Sequence, residues 1–176
     1  MSITIPKSVK KIEAKAFENS NLANIYFTED SQINYIEKDA FRNCSKISSF
    51  SYSFPYLKTL GMSSFKDCIN LENFTFSSPN LTVMSNAFEN CIKLKKVSNI
   101  LSIPDNCFCG CTNLEEVTIH EGAESIGIKS FESCSSLKSI NIPQSIKIIS
   151  EYSFLNCKKI SSIIFNETNS LDIFFN

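Results

Sequence analysis

Hydrophobic and polar residues alternate in short segments that recur about every 23 residues along the chain. In one clear copy, residues 137–157, Ile140 and Ile142 are separated by polar residues, which predicts a β-strand with one buried face. Pro143 follows directly. Because proline has no N–H to donate to a neighbouring strand, we expect the strand to end there.

Two further apolar segments complete this copy. Ile146 and Ile149 form the first, while Phe154 and Cys157 stand three residues apart in the second. Since residues i and i+3 share one face of a helix, we expect about one helical turn over residues 153–157. A single copy cannot bury its apolar side, so the pattern predicts a solenoid whose copies stack around one continuous core.

A phenylalanine marks each copy, and the steps between successive phenylalanines are 24, 24, 23, 20, 23 and 23 residues. These residues are Phe17, Phe41, Phe65, Phe88, Phe108, Phe131 and Phe154. Three residues after each stands Ser20, Cys44, Cys68, Cys91, Cys111, Cys134 or Cys157. We therefore predict one solenoid domain over residues 1–176, with about seven repeats and a truncated eighth.

The copy that ends at Phe108 is the shortest. Ile100 and Ile103 stand 8 and 5 residues before Phe108, which are the offsets of Ile146 and Ile149 before Phe154. We expect a deletion confined to a loop, with the core positions retained.

The pattern L-x-x-I-x-I-P-x-S-(V/I)-x-x-I-x-x-x-A-F-x-x-C-x-x-L resembles the leucine-rich repeat superfamily, and within it the bacterial-surface-protein-A-like (BspA-like) branch. Residues 3–17 and 137–157 match best, and the resemblance covers nearly the whole chain. It implies a right-handed solenoid with a parallel sheet on the concave side. With short strands and helical turns on the other side, the expected fold class is α/β.

The resemblance also carries expectations about function. Members of this branch are mostly cell-surface or secreted proteins of bacteria and microbial eukaryotes, associated with adhesion to host proteins and with protein–protein contacts. Some sit beside catalytic domains in larger chains. These properties are implied by the resemblance alone.

Composition narrows the classes of protein to consider. The 176 residues are 43% hydrophobic and 20% charged, with a net charge of -1, which favours a soluble folded chain over a disordered one or a basic nucleic-acid binder. No apolar run approaches the roughly 20 residues of a membrane span, and residues 1–6 lack the pattern of a signal peptide. The sequence thus favours the cytoplasm, whereas the resemblance favours the cell surface.

The eight cysteines allow two interpretations. Six share one repeat position beside the phenylalanines, so we expect reduced thiols buried as small hydrophobic groups. Disulfides between repeats are the alternative. Within the run from Cys107 to Cys111, a helical turn would point Cys109 outward and the other two cysteines inward. These directions do not converge on one ion, so we expect no metal site and an exposed Cys109 thiol.

Candidate catalytic chemistry is sparse. His120 is the single histidine, and no serine–histidine–aspartate arrangement can be argued around it. With 4 glycines there is no phosphate-binding loop, and the acidic residues are scattered. We therefore expect no enzymatic activity, no catalytic residue, no cofactor and no bound metal.

The outward positions of the predicted strands are the better functional candidate. They are rich in short hydrogen-bonding side chains, which lose little rotamer entropy on contact, and this favours a shallow docking surface for a protein or peptide. Alternatively, serine and threonine merely solvate the sheet. Tyr26 and the area of Lys96, Glu116 and His120 stand out by size or charge. The candidate partner-binding residues are Asn24, Tyr26, Ser49, Ser51, Asn73, Thr75, Lys96, Ser98, Glu116, Thr118, His120, Ser139 and Asn141.

Three functional hypotheses follow. The first is a non-enzymatic interaction or adhesion module that binds a macromolecule on its concave sheet. The second is a regulatory or targeting segment of a larger, enzymatic polypeptide, and the third is a structural array with no dedicated ligand. We expect no nucleic-acid partner and no membrane insertion. No clear polar cap covers either end, so we predict an end-to-end homo-oligomer or a segment of a longer array.

Overall fold

A computed structural model describes residues 1–50, 54–74, 78, 80–165 and 172–173. These residues form a parallel β-solenoid of about seven turns, in which each turn lies against the next. Two layers of short parallel strands and one layer of hydrogen-bonded turns enclose the core. None of the described residues belongs to a helix, so none forms a helix that could cross a bilayer.

The first layer contains the strands that precede each loop of the solenoid. Its strands are β1 (Ser2–Ile5), β3 (Asn24–Phe27), β5 (Ser49–Phe50), β7 (Asn73–Phe74), β9 (Lys96–Ile100), β10 (Glu116–Ile119), β12 (Ser139–Ile142) and β14 (Ser162–Phe165). They pair in the orders β1-β3, β5-β7 and β9-β10-β12-β14. Strand β12 ends at Ile142, directly before Pro143, as its missing N–H predicts.

The second layer contains the short strands that follow the loops. They are β2 (Lys11–Ile12), β4 (Tyr35–Ile36), β6 (Thr59–Leu60), β8 (Thr82–Val83), β11 (Ser125–Ile126), β13 (Ile148–Ile149) and β15 (Asp172–Ile173). They pair in the orders β2-β4-β6-β8 and β11-β13-β15, and Ile103 joins Ile126 through an isolated parallel bridge. Short strands opposite the first layer, predicted from residues such as Ile149, are therefore confirmed.

The helical turn predicted at residues 153–157 is wrong, and with it the helical part of the α/β fold class. Tyr152 and Asn156 have positive φ angles of 59° and 60°. A residue in this left-handed region cannot continue a right-handed helix. The same two offsets from the phenylalanine have positive φ in every repeat: Lys15 and Asn19, Asp39 and Asn43, Ser63 and Asp67, Asn86 and Asn90, Asn106 and Gly110, and Lys129 and Ser133.

The left-handed residues turn backbone groups toward the neighbouring repeat. The N–H of Phe131 donates to the carbonyl of Ser153 at 2.9 Å, and the N–H groups two residues to either side donate to Glu151 and Leu155. The same three bonds join each pair of neighbouring turns from Phe17 to Phe154. A third column of inter-repeat hydrogen bonds thus replaces the expected helical turns, and the described fold is all-β.

The predicted aromatic spine is confirmed. The rings of the seven repeat phenylalanines stack in sequence, with centroids 5.1 to 5.6 Å apart and planes within 17° of parallel. The five inner rings, from Phe41 to Phe131, are completely buried, whereas Phe17 and Phe154 at the ends are partly buried. The spine therefore runs through the whole described solenoid.

The cysteines form a second ladder beside the spine. The Sγ of Cys91 donates to the carbonyl oxygen of Phe65, one repeat earlier, at 3.2 Å. The cysteines at the same position in five other repeats make the same bond at 3.0 to 3.2 Å. All eight thiols are free, seven of them are buried, and Cys109 is half-buried. The expectation of buried thiols, with Cys109 the most accessible, is confirmed.

The shortest repeat absorbs its deletion through a bulge. Strand β9 has five residues, its pairing register with β10 shifts after Val117, and Asn99 has a positive φ of 57°. Ile103 occupies the predicted second-layer position. Ile100, however, pairs with Ile119 in the first layer, so its assumed equivalence to Ile146 is wrong.

Candidate interaction surface

The outward side chains of the first layer form a continuous surface, which we call the strand face. Alternation along each strand creates it: in β12, Ile140 and Ile142 are buried while Ser139 and Asn141 are exposed. Ten of the predicted residues lie exposed on this face: Asn24, Tyr26, Ser49, Asn73, Lys96, Ser98, Glu116, Thr118, Ser139 and Asn141. Ser51 and Thr75 lie outside the described residues.

Parallel pairing places equivalent residues side by side. Glu116 lies opposite Lys96 on one side and Ser139 on the other. Thr118 lies opposite Asn141 at the second outward position of β10 and β12. Because neighbouring strands are about 4.8 Å apart, the outward side chains stand in two columns, and the second column is interrupted where the register between β9 and β10 shifts after Val117.

The charged residues on this face pair with each other. The Nζ of Lys96 lies 2.8 Å from a carboxylate oxygen of Glu116, and both side chains are mostly exposed. The sequence analysis placed these two residues in one candidate area and did not anticipate their ion pair. Exposed ion pairs contribute little to stability, so a partner could exchange this pair for contacts of its own at small cost.

A further ion pair lies directly beside the strand face. The Nζ of Lys138 lies 2.8 Å from a carboxylate oxygen of Glu115, and both side chains are mostly exposed. Their hydrogen bond and charge attraction lower the pKa of Glu115 and raise the pKa of Lys138. Because Glu115 and Lys138 belong to successive repeats, opposite charges lie side by side, and this part of the surface is close to neutral.

His120 lies at the edge of the strand face rather than in its columns. It follows β10, and its backbone N–H donates to the carbonyl of Ile100 at 2.9 Å. Its Nδ1 accepts a hydrogen bond from the N–H of Gly122 at 2.9 Å. The ring thus orders the loop after β10, and its Nε2 is the nitrogen that remains for a contact.

A metal or catalytic site would need a particular chemistry among the described residues. They contain no group of three or more histidine, cysteine or acidic side chains placed to hold a metal ion. Burial raises the pKa of the Cys107 and Cys111 thiols, which keeps them protonated. What the strand face offers is hydrogen-bond donors and acceptors, the exposed Tyr26 ring and one ion pair.

The sequence analysis missed a groove on the second layer. It has a volume of about 520 Å³, and Tyr35 and Tyr56 are among its lining residues. One feature of the sequence could have indicated it. Tyr35 is an aromatic residue at the outward position of β4, whereas Lys11 and Thr59 occupy the equivalent positions of the neighbouring strands β2 and β6. The groove could not be recognised from one repeat, because residues of three successive repeats line it.

Comparison with protein families gives a match over nearly the whole chain. The model described as "BspA type Leucine rich repeat region", which contains six copies, matches residues 1–100 and 95–173. A search of curated proteins finds no match.

Solved structures similar to this chain are leucine-rich repeat proteins of bacteria. The pneumococcal vaccine antigen PcpA is 25% identical, with a TM-score of 0.69 over 93% of this chain and 50% of that one. A leucine-rich cell surface protein from Faecalibacterium prausnitzii is 24% identical, with a TM-score of 0.78 over 93% and 47%. A leucine-rich repeat protein from Eubacterium ventriosum is 23% identical, with a TM-score of 0.77 over 99% and 45%. The chain therefore spans about half the length of each.

Proposed function

The chain belongs to the BspA-type leucine-rich repeat family, and on this premise we propose that it is a non-enzymatic interaction module whose strand face binds a protein or peptide partner. Its fold is that of leucine-rich repeat proteins of bacteria. The observation that carries the proposal is the row of exposed polar side chains at the first outward position of the strands, which stays in register from β9 through β10 and β12 to β14.

The physical argument concerns the cost of binding. Serine, threonine and asparagine side chains lose little rotamer entropy when they are immobilised, and the paired strands hold their backbone rigid. Tyr26, which is 56% exposed, supplies a large amphipathic ring of the kind enriched in binding hot spots. The ion pair of Lys96 and Glu116 adds a charge pattern that a partner could recognise.

The similar structures support an adhesive role. One is described as a vaccine antigen and another as a cell surface protein. A surface-exposed copy of the present fold would present its strand face to extracellular proteins. We therefore propose adhesion to a protein as the use of this module.

The test is binding to an immobilised panel of extracellular-matrix and serum proteins, measured by biolayer interferometry. Lys96→Glu places two carboxylates side by side, and the double variant Lys96→Glu with Glu116→Lys restores an internal pair of reversed order. We expect both variants and Tyr26→Ala to weaken binding at least about tenfold, which corresponds to 1.4 kcal/mol. Their melting temperatures should match wild type, because the altered side chains are exposed.

The matched control is Lys147→Glu. Lys147 also forms an exposed inter-repeat ion pair, with Glu124 at 3.3 Å, but it lies next to β13 in the second layer. Binding should be unchanged in this variant. If all the variants bind like wild type, or if no protein of the panel binds, the strand face is not the docking surface.

A second candidate is a regulatory or targeting segment of a larger enzymatic polypeptide. The observation in its favour is that the chain spans about half the length of the similar structures. The complete gene decides between the two: a catalytic domain in the same polypeptide supports this candidate. A gene that encodes only leucine-rich repeats supports the interaction module.

A further inference from the structure

The groove on the second layer has a different character from the strand face. Tyr35 occupies the outward position of β4, and Tyr56 follows Pro55 in the loop that leads to β6. The two side chains are 39% and 51% exposed. Both line the same groove of about 520 Å³, which is large enough for one or two sugar rings or a short peptide.

Hydrogen bonds between consecutive repeats hold the walls of the groove in place. The N–H of Lys58 donates to the carbonyl of Asn34 at 2.8 Å. The N–H of Thr82 donates in turn to the carbonyl of Lys58 at 2.9 Å. Because these bonds are already formed in the free protein, a ligand would order little additional backbone on binding.

The polar lining consists of groups that both donate and accept hydrogen bonds. Asn80, Thr59, Thr82 and Ser78 contribute neutral amide and hydroxyl groups. Asn34 uses its Nδ2 to donate to the carbonyl of Gln32 at 2.8 Å, so its Oδ1 is the acceptor it offers. Sugar hydroxyls have the same dual capacity, and the apolar C–H face of a pyranose packs against aromatic rings such as those of tyrosine.

One positive charge completes the site. Lys58 is the single charged residue among the described residues that line the groove, and it is exposed. In the part of the chain that the structure describes, no carboxylate lies within ion-pair distance of Lys58, whereas Lys11 of the second layer contacts both Glu13 and Glu37. A carboxylate on the ligand would meet an uncompensated positive charge there.

We propose that this groove binds a carboxylated pyranose of a glycan. Tyr35 and Tyr56 contact the C–H face of the ring, the neutral side chains bind its hydroxyls, and Lys58 binds its carboxylate. Aromatic grooves also bind proline-rich peptides, but the majority of neutral amide and hydroxyl groups in this lining favours a polyhydroxylated ligand. The inference concerns the second layer and does not depend on a partner for the strand face.

The experiment is saturation-transfer-difference NMR with three defined probes. Methyl β-D-glucuronoside and methyl α-sialoside carry a carboxylate, and methyl β-D-glucoside is the matched neutral sugar. We expect saturation transfer to the ring protons of at least one acidic sugar, with a Kd on the order of 1 mM, as for a small ligand on an open site. The neutral glucoside should bind several-fold more weakly.

Variants connect the signal to the groove. Tyr56→Ala should reduce the affinity for the acidic sugar at least about fivefold. Lys58→Gln should lower the affinity for the acidic sugar to that of the neutral glucoside. The same variant should leave the affinity for the glucoside unchanged. Tyr26→Ala is the matched control, since that tyrosine has a similar exposure but lies on the strand face. It should leave the affinity for the sugar unchanged.

Three results would overturn the inference. The first is the absence of saturation transfer to either acidic sugar. The second is a signal that survives Tyr56→Ala in a variant that melts like wild type. The third is binding of an acidic proline-rich peptide at these tyrosines while the sugars do not bind. If the strand-face proposal fails, the Tyr26 and Lys96 variants will bind proteins of the panel like wild type. That result would leave the sugar-binding measurements unaffected.

Discussion

Replacing Phe88 by alanine tests the aromatic spine where it is most enclosed. Phe88 is completely buried and stacks on Phe65 at 5.6 Å and on Phe108 at 5.5 Å. It also meets the edge of Phe74 at 4.8 Å. Alanine would therefore open a cavity in the middle of the solenoid and remove at least these three aromatic contacts at once.

The expected cost follows from these contacts. Truncation of a buried phenylalanine to alanine typically costs about 3–5 kcal/mol. Aromatic pairs add roughly 0.5–1.5 kcal/mol each beyond their buried area, so a ring with three partners belongs at the upper end, at about 5 kcal/mol. This is a large share of the roughly 5–15 kcal/mol by which a domain is stable.

The matched control is Phe154→Ala. Phe154 is only partly buried and stacks on one ring, Phe131, at 5.5 Å. Because the ring is partly exposed and has one aromatic partner among the described residues, its loss should cost less, about 2 kcal/mol. Phe88→Leu, which retains most of the apolar volume, should cost about 1.5 kcal/mol.

The assay is urea unfolding followed by far-ultraviolet circular dichroism, with the free energy of unfolding extrapolated to water. We expect the order Phe88→Ala, Phe154→Ala, Phe88→Leu, from most to least destabilised. If Phe88→Ala unfolds at the urea concentration of wild type, the stacked rings do not form the core.

Four further predictions concern other parts of the solenoid. Ser64 is completely buried, and its Oγ has no hydrogen-bond partner among the described residues. Ser64→Ala should therefore raise the free energy of unfolding by about 1 kcal/mol in the same assay. A loss of stability would show that the hydroxyl is bonded. Burial raises the pKa of the seven buried thiols, and it raises that of Cys157 to about 11. In the unfolded chain, by contrast, cysteine thiols lose their protons near pH 8.5. Above this pH the folded protein therefore keeps protons that the unfolded chain has released. Stability should therefore fall above about pH 8.5, by roughly 1.4 kcal/mol for each fully buried thiol at pH 9.5, and a urea midpoint that is equal at pH 7.5 and 9.5 would contradict this. In native protein at pH 8, iodoacetamide should label Cys109 alone, which mass spectrometry can count. Phe165 of β14 pairs with the buried Ile142 of β12 and is itself 38% exposed, so we predict end-to-end association through this side of β14. Light scattering should show a dimer or larger, Phe165→Lys should reduce it, and a wild-type monomer would refute it.

The spine was predictable because its signal repeats. A phenylalanine recurs at intervals of 20 to 24 residues in seven copies, and in six of them a cysteine follows after three residues. A spacing repeated this often fixes which side chains share the core. The alternation of Ile140 and Ile142 with polar residues likewise predicted which side of β12 faces solvent. These inferences depend on position alone, and the structure confirms both.

The turns were not predictable by the same reasoning. A separation of three residues between Phe154 and Cys157 fits a helical turn and also fits the observed turn, because both bring the two side chains to the core. The deciding information is the backbone angle two residues before and after the phenylalanine. Asparagine and aspartate, which tolerate positive φ, occupy many of these sites, but Lys15 and Tyr152 occupy others, so the residue types form a weak signal.

On the surface, too, some features were predictable from the sequence and others were not. Exposure along the strands followed from alternation, whereas the ion pair of Lys96 and Glu116 depends on the register between β9 and β10. That register shifts at the bulge of the shortest repeat, which no spacing in the sequence shows. The groove at Tyr35 and Tyr56 depends on contact between loops of different copies, which a repeat pattern does not specify.

The three columns of inter-repeat hydrogen bonds have a consequence for how the molecule tolerates change. Among the residues that the structure describes, the backbone hydrogen bonds between turns join each turn to its two neighbours and to no turn beyond them. A disturbance should therefore fade over one or two repeats. Amide protons near Phe154 could then exchange with solvent while those near Phe88 stay protected. Evolution could accordingly alter the groove near Tyr56 and the charges near Glu116 separately, each without loss of the other.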